Sequence, residues 1–353
     1  MSRPALITGG CGFVGRHLVK ALLARGYKEI WLVDDLSTGR APEEWLKGWK
    51  KKKVRDRFEY SSGGRKIVLV HADAWHFFHD LALGRTKNPL PAFGDVFHLA
   101  SIVGGRGLIE GDPLLVAKDL GIDAAFFLWI SRKPGNVGRV LYASSSAAYP
   151  THLQGTRKAV ALRESHIDFD SGKMGVPDLT YGWSKLTGEY LARLAHSKYG
   201  IHIATVRPFS GYGEDQDLTY PTPSIALRVA RGDDPIEVWG TGDQARDFVH
   251  IDDCVDSFFA VLDKVKDGSG VNIGSGTPTS FKELIAHMLR LEKRTAEIRP
   301  LSKKPVGVAN RYAHTGRMNT IGWKPKISIA KGMQRMLDAA RERLAGNDLP
   351  FSI

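Results

Sequence analysis

Near its N-terminus the chain reads Ala5-Leu-Ile-Thr-Gly-Gly-Cys-Gly-Phe-Val-Gly15, and the rest of the fold depends on this stretch. Its apolar start predicts a buried strand, and the apolar residues of His17–Arg25 recur with helical spacing before Gly26. Glycines fill positions 9, 10, 12 and 15 between the two. A strand, a glycine turn and a helix in this order open a dinucleotide-binding fold, because glycines let the backbone approach a pyrophosphate at the helix N-terminus.

An acidic residue follows the second predicted strand, Ile30–Val33. This residue, Asp34, lies about 20 residues after Gly15, the distance at which an acid accepts hydrogen bonds from an adenosine ribose. An acid here also repels a 2′-phosphate, so we expect NAD rather than NADP. The alternative is that Asp34 is an ordinary turn acid in the sequence Asp34-Asp35-Leu-Ser-Thr-Gly39.

The composition is that of a globular protein long enough for two lobes, with 353 residues, 42% of them hydrophobic and 25% charged. No apolar run reaches membrane-spanning length, and the first strand begins too early to leave room for a signal peptide. The two cysteines, Cys11 and Cys254, cannot form a disulfide framework. These features predict a cytoplasmic protein with no membrane partner.

The net charge of +12 raises nucleic-acid binding as a rival function. The densest basic run, Lys47–Arg57, lies in a polar segment between the second and third predicted strands. A solvated surface insertion explains such a run as well as a binding site does. The sequence has no zinc-ligand spacing, no RNP-type motif and no helix-turn-helix signature. A nucleic-acid partner is therefore not expected, and a doubly anionic nucleotide ligand fits the charge at least as well.

Strands and helices alternate through the first two thirds of the chain. Strands are predicted at Lys66–Val70, Asp95–Leu99, Arg139–Ala143 and His202–Val206, and helices at Leu114–Ile130 and Tyr181–Tyr199, with a long polar loop over Thr151–Asp178. This order predicts an α/β fold, a Rossmann-type doubly wound parallel sheet whose ligands collect at the carboxyl ends of the strands. Asp73, after the third strand, is placed either to meet the adenine amine or to cap the next helix.

The alternation ends after Val206. Residues 208–242 are rich in Gly, Pro and Asp; strands are then predicted at Asp247–Ile251 and Val271–Gly274, and helices at Phe281–Leu291 and Ile329–Leu344. We expect an NAD-binding domain over residues 1–206 and a smaller C-terminal α/β substrate lobe drawn mainly from residues 207–353. Segments near residues 247–274 are expected to return to the first domain, and Gly346–Ile353 to form a loose tail.

The chemistry is predicted from Tyr181-Gly-Trp-Ser-Lys185, which places a phenol and an ammonium on one face of a helix. A neighbouring Lys185 stabilises phenolate and so lowers the pKa of Tyr181 toward the working pH, which suits a general base. Lys185 is also placed to hold the nicotinamide ribose. Ser145, after the fifth strand, is the expected third member, with Ser144 and Ser146 as competitors for its role.

Several segments together resemble the extended short-chain dehydrogenase/reductases, in their NAD-dependent nucleotide-sugar epimerase/dehydratase branch. They are Thr8–Gly15, Val33–Gly39, His98-Leu-Ala100, Tyr142-Ala-Ser-Ser145, Tyr181–Lys185, Val206-Arg-Pro-Phe209 with Gly211-Tyr-Gly213, Arg246-Asp-Phe-Val-His250, Val271-Asn-Ile-Gly274 and Ile321-Gly-Trp-Lys-Pro325. Within this family, His98–Gly105 and the region from Asn310 to Trp323 are most similar to GDP-mannose 3,5-epimerase-like members. The resemblance covers nearly the whole chain.

This resemblance implies NAD as cofactor, a nucleotide-sugar substrate and a homodimer built on the helices Leu114–Ile130 and Tyr181–Tyr199. The implied cofactor-binding residues are Gly9, Gly12, Phe13, Val14, Gly15, Asp34, Asp35, Ser37, Thr38, Gly39, Asp73, Ala74, Leu99, Ala100, Ser101, Ala143, Tyr181, Lys185 and Phe209. The implied substrate-binding residues are Gly104, Gly105, Arg106, Ser145, Ser146, Ser210, Arg246 and Arg311. Of these, Arg246 and Arg311 are implied to bind the diphosphate. For both arginines, surface salt bridges are the alternative. No metal is implied.

Departures from the family pattern reduce the number of reactions that the chain is expected to catalyse. In the implied reaction Tyr181 takes the proton of the sugar hydroxyl while hydride leaves C4. The resulting 4-keto sugar then rotates, is epimerised at a neighbouring carbon, loses water or loses CO₂. Dehydratases and decarboxylases of the family carry an acid shortly after the catalytic hydroxyl. Here Ser145 is followed by Ser146, Ala147 and Ala148, with no acid among them. Ala147 replaces the cysteine of the 3,5-epimerases, and no lysine lies between Lys198 and Lys264 to pair with it.

C4 epimerisation is therefore expected. The alternatives are a 3,5-epimerase-like enzyme using Asp215, Asp217 or Tyr220, a dehydratase or decarboxylase, and a nucleic-acid or NAD-binding protein without enzymatic activity. Three further departures, at Ser210, Asp119 and His314, concern the substrate pocket, since relatives usually carry Asn, Asn and an acid at these positions.

Overall fold

A computed structural model describes residues 3–86, 90–155, 159–172, 174–347 and 351–353. In chain order the strands are β1 (Ala5–Thr8), β2 (Glu29–Asp34), β3 (Lys50–Val54), β4 (Arg57–Ser62), β5 (Arg65–His71), β6 (Phe93–His98), β7 (Val137–Ala143), β8 (His202–Pro208), β9 (Ser210–Tyr212), β10 (Ile236–Trp239), β11 (Ala245–Arg246), β12 (Phe248–His250), β13 (Asp267–Ile273), β14 (Thr279–Ser280), β15 (Ile298–Leu301) and β16 (Asn310–Arg311).

The helices alternate with the strands through the first two thirds of the chain. They are α1 (Phe13–Ala24), α2 (Pro42–Trp45), α3 (Ala74–Ala82), α4 (Arg106–Gly111), α5 (Pro113–Val116), α6 (Lys118–Arg132), α7 (Leu179–Tyr199), α8 (Pro221–Arg231), α9 (Ile251–Lys264), α10 (Phe281–Leu291), α11 (Gly316–Ile321) and α12 (Ile329–Leu344).

Nine strands form the central sheet, in the order β13-β8-β7-β6-β1-β2-β5-β4-β3. Every pairing from β13 to β5 is parallel, and β1 lies at the point where the chain order reverses. The predicted α/β doubly wound sheet is confirmed. Because the strands are parallel, their carboxyl ends share one edge of the sheet, where a ligand crevice forms.

Helices cover both faces of the sheet. On one face α1 and α9 bury Leu18, Leu22 and Phe258 against the sheet. On the other face α3 and α6 bury Phe78 and Phe126, and α7 joins them. Strands that are buried on both faces read as continuous apolar runs, which is why β1 and β2 could be recognised from the sequence.

The C-terminal third forms a second body of small sheets and helices. Strand β10 pairs with β15, β11 lies between β14 and β16, and β12 pairs with β9. Helices α8, α10 and α12 bury Ile225, Leu284 and Met333 in a core of their own. Strand β13 instead joins the central sheet beside β8. The chain therefore crosses between the two bodies more than once after residue 206.

The basic segment 47–57, predicted as a solvated surface insertion, is exposed along β3 and forms part of a regular structure that was not predicted. Strand β3, with Lys50–Lys53 all exposed, pairs antiparallel with β4, and β4 pairs antiparallel with β5. The hairpin lengthens the central sheet by two strands. Lysines along an edge strand oppose pairing with another chain, which gives this run a structural role.

Three further predictions need correction. The helix predicted over Leu114–Ile130 is divided at Ala117 into α5 and α6, and Asp112 caps the shorter one. The strand predicted over Asp247–Ile251 is shorter, because α9 begins at Ile251. In the predicted loose tail, the described Phe351 is buried, and its ring lies 4.5 Å from that of His17.

Neither cysteine forms a disulfide, and both are buried. Among the helices of the described residues, none combines the length and apolar character needed to span a bilayer. The described residues also contain no group of three or more His, Cys, Asp or Glu side chains arranged to hold a metal ion.

Candidate active site

The turn between β1 and α1 forms a cradle in which side chains have no room. Gly9 has a φ of 69°, which favours glycine, and a Cβ on Gly15 would lie 2.3 Å from the carbonyl oxygen of Gly9. Gly12 begins α1 with no side-chain cap, so the first N–H groups of the helix face outward with the positive end of its dipole. These features fit the pyrophosphate of a dinucleotide.

Asp34 lies at the end of β2, next to this turn. Its carboxylate accepts hydrogen bonds from the backbone N–H groups of Cys11, at 2.8 Å, and Leu36, at 2.9 Å. The neighbouring Asp35 accepts from both the backbone N–H and the hydroxyl of Ser37. Asp34 thus holds the glycine turn and the 34–39 loop together, so the acid that is placed for the ribose also shapes the cradle.

Of the two alternatives for Asp73, the structure shows the helix cap. Its Oδ1 accepts from the backbone N–H of His76 at 3.1 Å, and its Oδ2 pairs with the ammonium of Lys118. Both oxygens are engaged within the chain, and Ala74 begins α3 directly after it.

Other predicted cofactor residues lie at the same edge of the sheet. Leu99, Ala100 and Ser101 follow β6, Ala143 ends β7, Phe209 follows β8, Phe13 and Val14 begin α1, and Thr38 and Gly39 follow β2. The hydroxyl oxygen of Thr8, at the end of β1, accepts from the backbone N–H groups of Leu99 and Ala100, each at 3.0 Å. This bond ties the loop after β6 to the glycine turn.

Helix α7 and the loop after β7 bring Ser145, Tyr181 and Lys185 together. The Lys185 ammonium is buried, 5.7 Å from the centre of the Tyr181 ring and 5.5 Å from that of Tyr142. The Ser145 side chain lies close enough to Tyr181 to lower the pKa of its hydroxyl. The competitor Ser144 donates its hydroxyl proton to Glu189 at 2.5 Å, so Ser145 is the serine directed at Tyr181.

The electrostatics of Tyr181 differ from the expectation. Burial raises the pKa of Tyr181, and although Lys185 and Ser145 act to lower it, burial outweighs them. Burial also acts to lower the pKa of Lys185, but Tyr181, Asp123 and Asp119 outweigh it and keep the ammonium charged. The side chains around Tyr181 therefore do not lower its pKa to the working pH. A further positive charge at the site would lower this pKa.

A buried network lies behind Lys185. Asp123 accepts from the Tyr142 hydroxyl at 2.6 Å and bonds His98 Nε2 at 3.0 Å, and His98 Nδ1 bonds the Thr8 hydroxyl at 2.7 Å. The network runs from β1 to α6 and holds the Tyr142 ring on which the Lys185 ammonium rests. Sequence reasoning used His98 only as part of a motif and did not identify Asp123.

Asp119, where relatives usually carry Asn, lies buried on α6. Its carboxylate accepts from the Ser101 hydroxyl and from the backbone N–H of Ile102, both at 2.6 Å. Burial raises the pKa of Asp119 to about 6, although Lys185 lowers it. Asp119 therefore holds the loop after β6 that the resemblance assigns to the cofactor.

Three arginines from distant parts of the chain meet next to Tyr181. Arg246 and Arg311 are opposite each other in the β11–β16 pair, and Arg106 begins α4 after the loop that contains Gly104 and Gly105. Burial and the neighbouring charge of Arg311 lower the pKa of Arg246 to about 9. Burial and the neighbouring cation destabilise the charged form of this guanidinium, and an anionic ligand would stabilise it. The surface salt bridge alternative does not apply to Arg246, whose bonds go to the backbone carbonyl oxygens of Ala245 and Val306.

Comparison with known proteins decides the family. The model of the NAD dependent epimerase/dehydratase family matches residues 5–274. The chain belongs to this family. The family is NAD-dependent, so NAD is the cofactor, and the glycine cradle, Asp34 and the loop after β6 are the residues of this chain that fit it.

The relatives of this chain within the family catalyse different reactions. A putative UDP-glucose 4-epimerase from Methanocaldococcus jannaschii is 26% identical over 94% of this chain and 97% of its own length. GDP-mannose 3,5-epimerase 1 from Oryza sativa subsp. indica is 28% identical over 93% of this chain and 79% of its own length. The crystal structure of a UDP-glucose 4-epimerase from Thermotoga maritima has a TM-score of 0.76 at 21% identity, covering 97% and 99% of the two chains.

Asp178 is the site residue that sequence reasoning missed. Its carboxylate accepts from Arg106 and Arg311, and the Arg311 Nε donates to Gln154 at 2.6 Å. A signal was present, since an acid after Pro177 at the start of the predicted Tyr181 helix is a common N-cap. Asp178 occupies that cap position, but its side chain bonds the two arginines instead of the helix.

The three proposed acid/base substitutes have different partners in the structure. Asp215 is bonded by Arg16 and His17, and Asp217 is exposed and accepts from Thr219. Tyr220, which precedes α8, lies within electrostatic range of Tyr181. Asp217 also lies within electrostatic range of Tyr220, whereas the Asp215 carboxylate is held by two side chains of α1.

Ser146 and Ser210 are the remaining predicted substrate residues, and His314 is one of the three departures from the family pattern. Ser146 is buried in a short 3-10 turn after Ser145, Ser210 begins β9 with its backbone N–H bonded to the Asp247 carbonyl oxygen at 2.9 Å, and the backbone N–H of His314 donates to the Leu162 carbonyl oxygen at 2.9 Å.

Proposed function

We propose that this protein is an NAD-dependent nucleotide-sugar epimerase that inverts C4 through a transient 4-keto sugar. One observation carries the proposal: Ser145, Tyr181 and Lys185 lie beside a cluster of arginines, and Arg311 interacts electrostatically with Tyr181. An acid–base group close to an anion site fits a substrate that has a hydroxyl at one end and a diphosphate at the other.

Each residue of the trio has a defined task. Bound NAD supplies a reversible hydride acceptor, so that hydride can leave the C4 carbon of the sugar and return to it. Tyr181, as phenolate, takes the proton of the C4 hydroxyl and gives it back to the ketone oxygen when hydride returns. Lys185 holds the phenolate form, and Ser145 donates a hydrogen bond to the same sugar oxygen. Arg246 and Arg311 hold the diphosphate while the sugar turns its other face.

The choice of C4 rests on the acid–base groups near the trio. Dehydration or decarboxylation is disfavoured because Ser146, Ala147 and Ala148 follow Ser145 with no acid among them. Inversion at C3 or C5 needs groups that exchange protons on two faces of the sugar ring. Hydride removal, rotation and hydride return need only the trio.

A second candidate, a 3,5-epimerase-like enzyme, is favoured by Tyr220. Burial raises the pKa of this tyrosine, and the nearby Tyr181 raises it further. Tyr220 therefore stays protonated at neutral pH and suits a proton donor, not a base. A 3,5-epimerase would need a base opposite it, and Tyr181 is already used for C4.

Solvent deuterium distinguishes the two candidates. The purified protein is screened with UDP-, GDP-, dTDP- and CDP-sugars for thermal stabilisation, and a sugar that stabilises it is turned over in D₂O. The C4 proposal expects the 4-epimer without deuterium on carbon. Deuterium at C3 or C5 of the product would refute C4 inversion and support the second candidate. Salt-sensitive nucleic-acid binding with no reduction of NAD by any sugar would refute both.

Replacing Tyr181 tests its role directly. In Tyr181→Phe the ring and its packing remain while the acidic proton is lost, so turnover is expected to fall by roughly 10²–10⁴. Folding and NAD binding should be unchanged. Tyr199→Phe is the matched control, because Tyr199 lies exposed at the end of the same helix and should retain full activity. Wild-type turnover in Tyr181→Phe would refute the mechanism.

We also propose the organisation that goes with this function. Residues 1–206 bind NAD, and residues 207–353 supply most of the substrate pocket, including Arg246 and Arg311. The protein is proposed to be a cytoplasmic homodimer. Helices α6 and α7 pack against each other and expose Leu120, Leu128 and Tyr190, and an exposed apolar face of this kind supports a partner helix pair.

A further inference from the structure

The proposed substrate pocket contains a buried carboxylate among its guanidinium groups. Nη1 of Arg106 donates to both carboxylate oxygens of Asp178, at 2.9 and 3.0 Å, and Nη2 of Arg311 donates to Oδ2 at 2.7 Å. Glu110 accepts a further bond from Nε of Arg106. Arg106 is therefore paired with two carboxylates, and its charge is already compensated within the chain.

The charges of the pocket leave little capacity for another anion. Arg106, Arg246 and Arg311 bring three positive charges, and Asp178 and Glu110 remove two of them. These five side chains together have a net charge of +1, and the two negative charges of a diphosphate are already more than enough to neutralise it. A third negative group on the ligand would find no uncompensated guanidinium.

Asp178 is fixed close to the reacting end of the pocket. Its backbone N–H donates to the Ala147 carbonyl oxygen at 2.9 Å, and its own carbonyl oxygen accepts from the N–H of Gly182, also at 2.9 Å. Leu179 next to it has a φ of 56°, a strained conformation for a non-glycine residue that the surrounding bonds hold in place. The Asp178 carboxylate thus lies beside Arg106 and Arg311, three residues before Tyr181 in the chain.

We propose that Asp178 is a specificity-determining residue that favours nucleotide sugars with an uncharged sugar and disfavours nucleotide-linked sugar acids. The inference rests on the proposed function, since it assumes that Tyr181 acts at C4. A carboxylate on the neighbouring C5 carbon would then approach the carboxylate of Asp178. Like charges in a buried site repel strongly, and such a repulsive element is a common source of specificity.

The test compares neutral and acidic substrates of the same nucleotide. For the wild-type holoenzyme, kcat/KM is measured with UDP-glucose and UDP-glucuronate, and with GDP-mannose and GDP-mannuronate. The wild type is expected to prefer the neutral sugar by roughly tenfold or more, and Asp178→Asn to lower that ratio by about tenfold. The ratio is informative because a merely structural defect would slow both substrates alike. Asp178→Glu keeps the charge and should keep the preference.

Asp170→Asn serves as the matched control. Nη2 of Arg193 contacts both carboxylate oxygens of Asp170, at 3.1 and 2.9 Å, but this pair lies at the surface. The variant should leave the substrate ratio unchanged. A wild-type preference for the sugar acid, or an unchanged ratio in a folded Asp178→Asn, would overturn the inference while leaving the proposed function intact. If no nucleotide sugar of either kind reduces bound NAD, the proposed function fails and the inference fails with it.

Discussion

Asp215 connects the two bodies of the molecule, and its removal should change the pH dependence of stability. Its carboxylate accepts from Arg16 Nη2 at 2.6 Å and bonds His17 Nε2 at 2.8 Å, and all three side chains are buried. Burial acts to raise the pKa of Asp215, but the bonds and charges of His17 and Arg16 outweigh it and lower the pKa to about 2. Since α1 carries both partners and Asp215 follows β9, the cluster links the glycine cradle to the segment after β9.

The magnitude follows from proton linkage. A group whose folded pKa is below its unfolded value adds stability that is present above the unfolded pKa and is lost as the pH falls through the folded one. Against an ordinary aspartate pKa of 3.8, a folded value of about 2 is worth about 2 kcal/mol of unfolding free energy. Between pH 5 and pH 2 the wild type should lose this amount through Asp215 alone.

Urea unfolding across this pH range measures the effect. Asp215→Asn should be less stable at pH 7 by roughly 3–5 kcal/mol, because a buried Arg16 loses its only carboxylate among the described residues. Its stability should also fall less steeply than that of the wild type below pH 5. The control is Asp338→Asn, an exposed acid on α12. Parallel pH profiles for the wild type and Asp215→Asn would refute the linkage argument.

Three other predictions follow from contacts described above. Lys185→Met should lose turnover and also bind NAD more weakly, whereas Ser145→Ala should lose less, because Ser145 supplies one neutral hydrogen bond; steady-state rates and NAD titration check the order. Light scattering should show a dimer, and Leu128→Asp on α6 should shift the mass toward that of a monomer. Phe351→Ala should lower the unfolding free energy by roughly 3–5 kcal/mol in urea, since its ring packs on His17.

Local patterns were enough to predict the nucleotide-binding half. The glycine turn, the apolar strands and the acid after β2 each depend on neighbours in the sequence, so their spacing carries the information. The hairpin was missed because four consecutive lysines suggest a solvated loop. A signal for β4 was available: Gly63-Gly64 between two short polar and aromatic runs is a typical hairpin turn, and it does connect β4 to β5.

The arginine pocket could be predicted only in part. Arg246 and Arg311 were identified by resemblance, but their proximity depends on the pairing of two-residue strands, which have no sequence pattern of their own. The role of Asp178 depends on Arg106 arriving from a loop 72 residues earlier in the chain. Contacts between such distant positions are set by tertiary packing, and only the structure reveals them.

The difference between features set by local sequence and contacts set by tertiary packing explains why the reaction and the substrate preference need separate tests. Tyr181 and Lys185 lie on one helix packed against the central sheet, a rigid support that fixes their geometry. Arg246, Arg311 and Arg106 come from short strands and loops whose sequence can change without disturbing that support. We therefore expect the acid–base chemistry to depend on Tyr181 and Lys185, and the preference for a neutral or acidic sugar to depend on a few side chains such as Asp178. A measured preference between neutral and acidic sugars would bear on those side chains alone and leave the role of Tyr181 untouched.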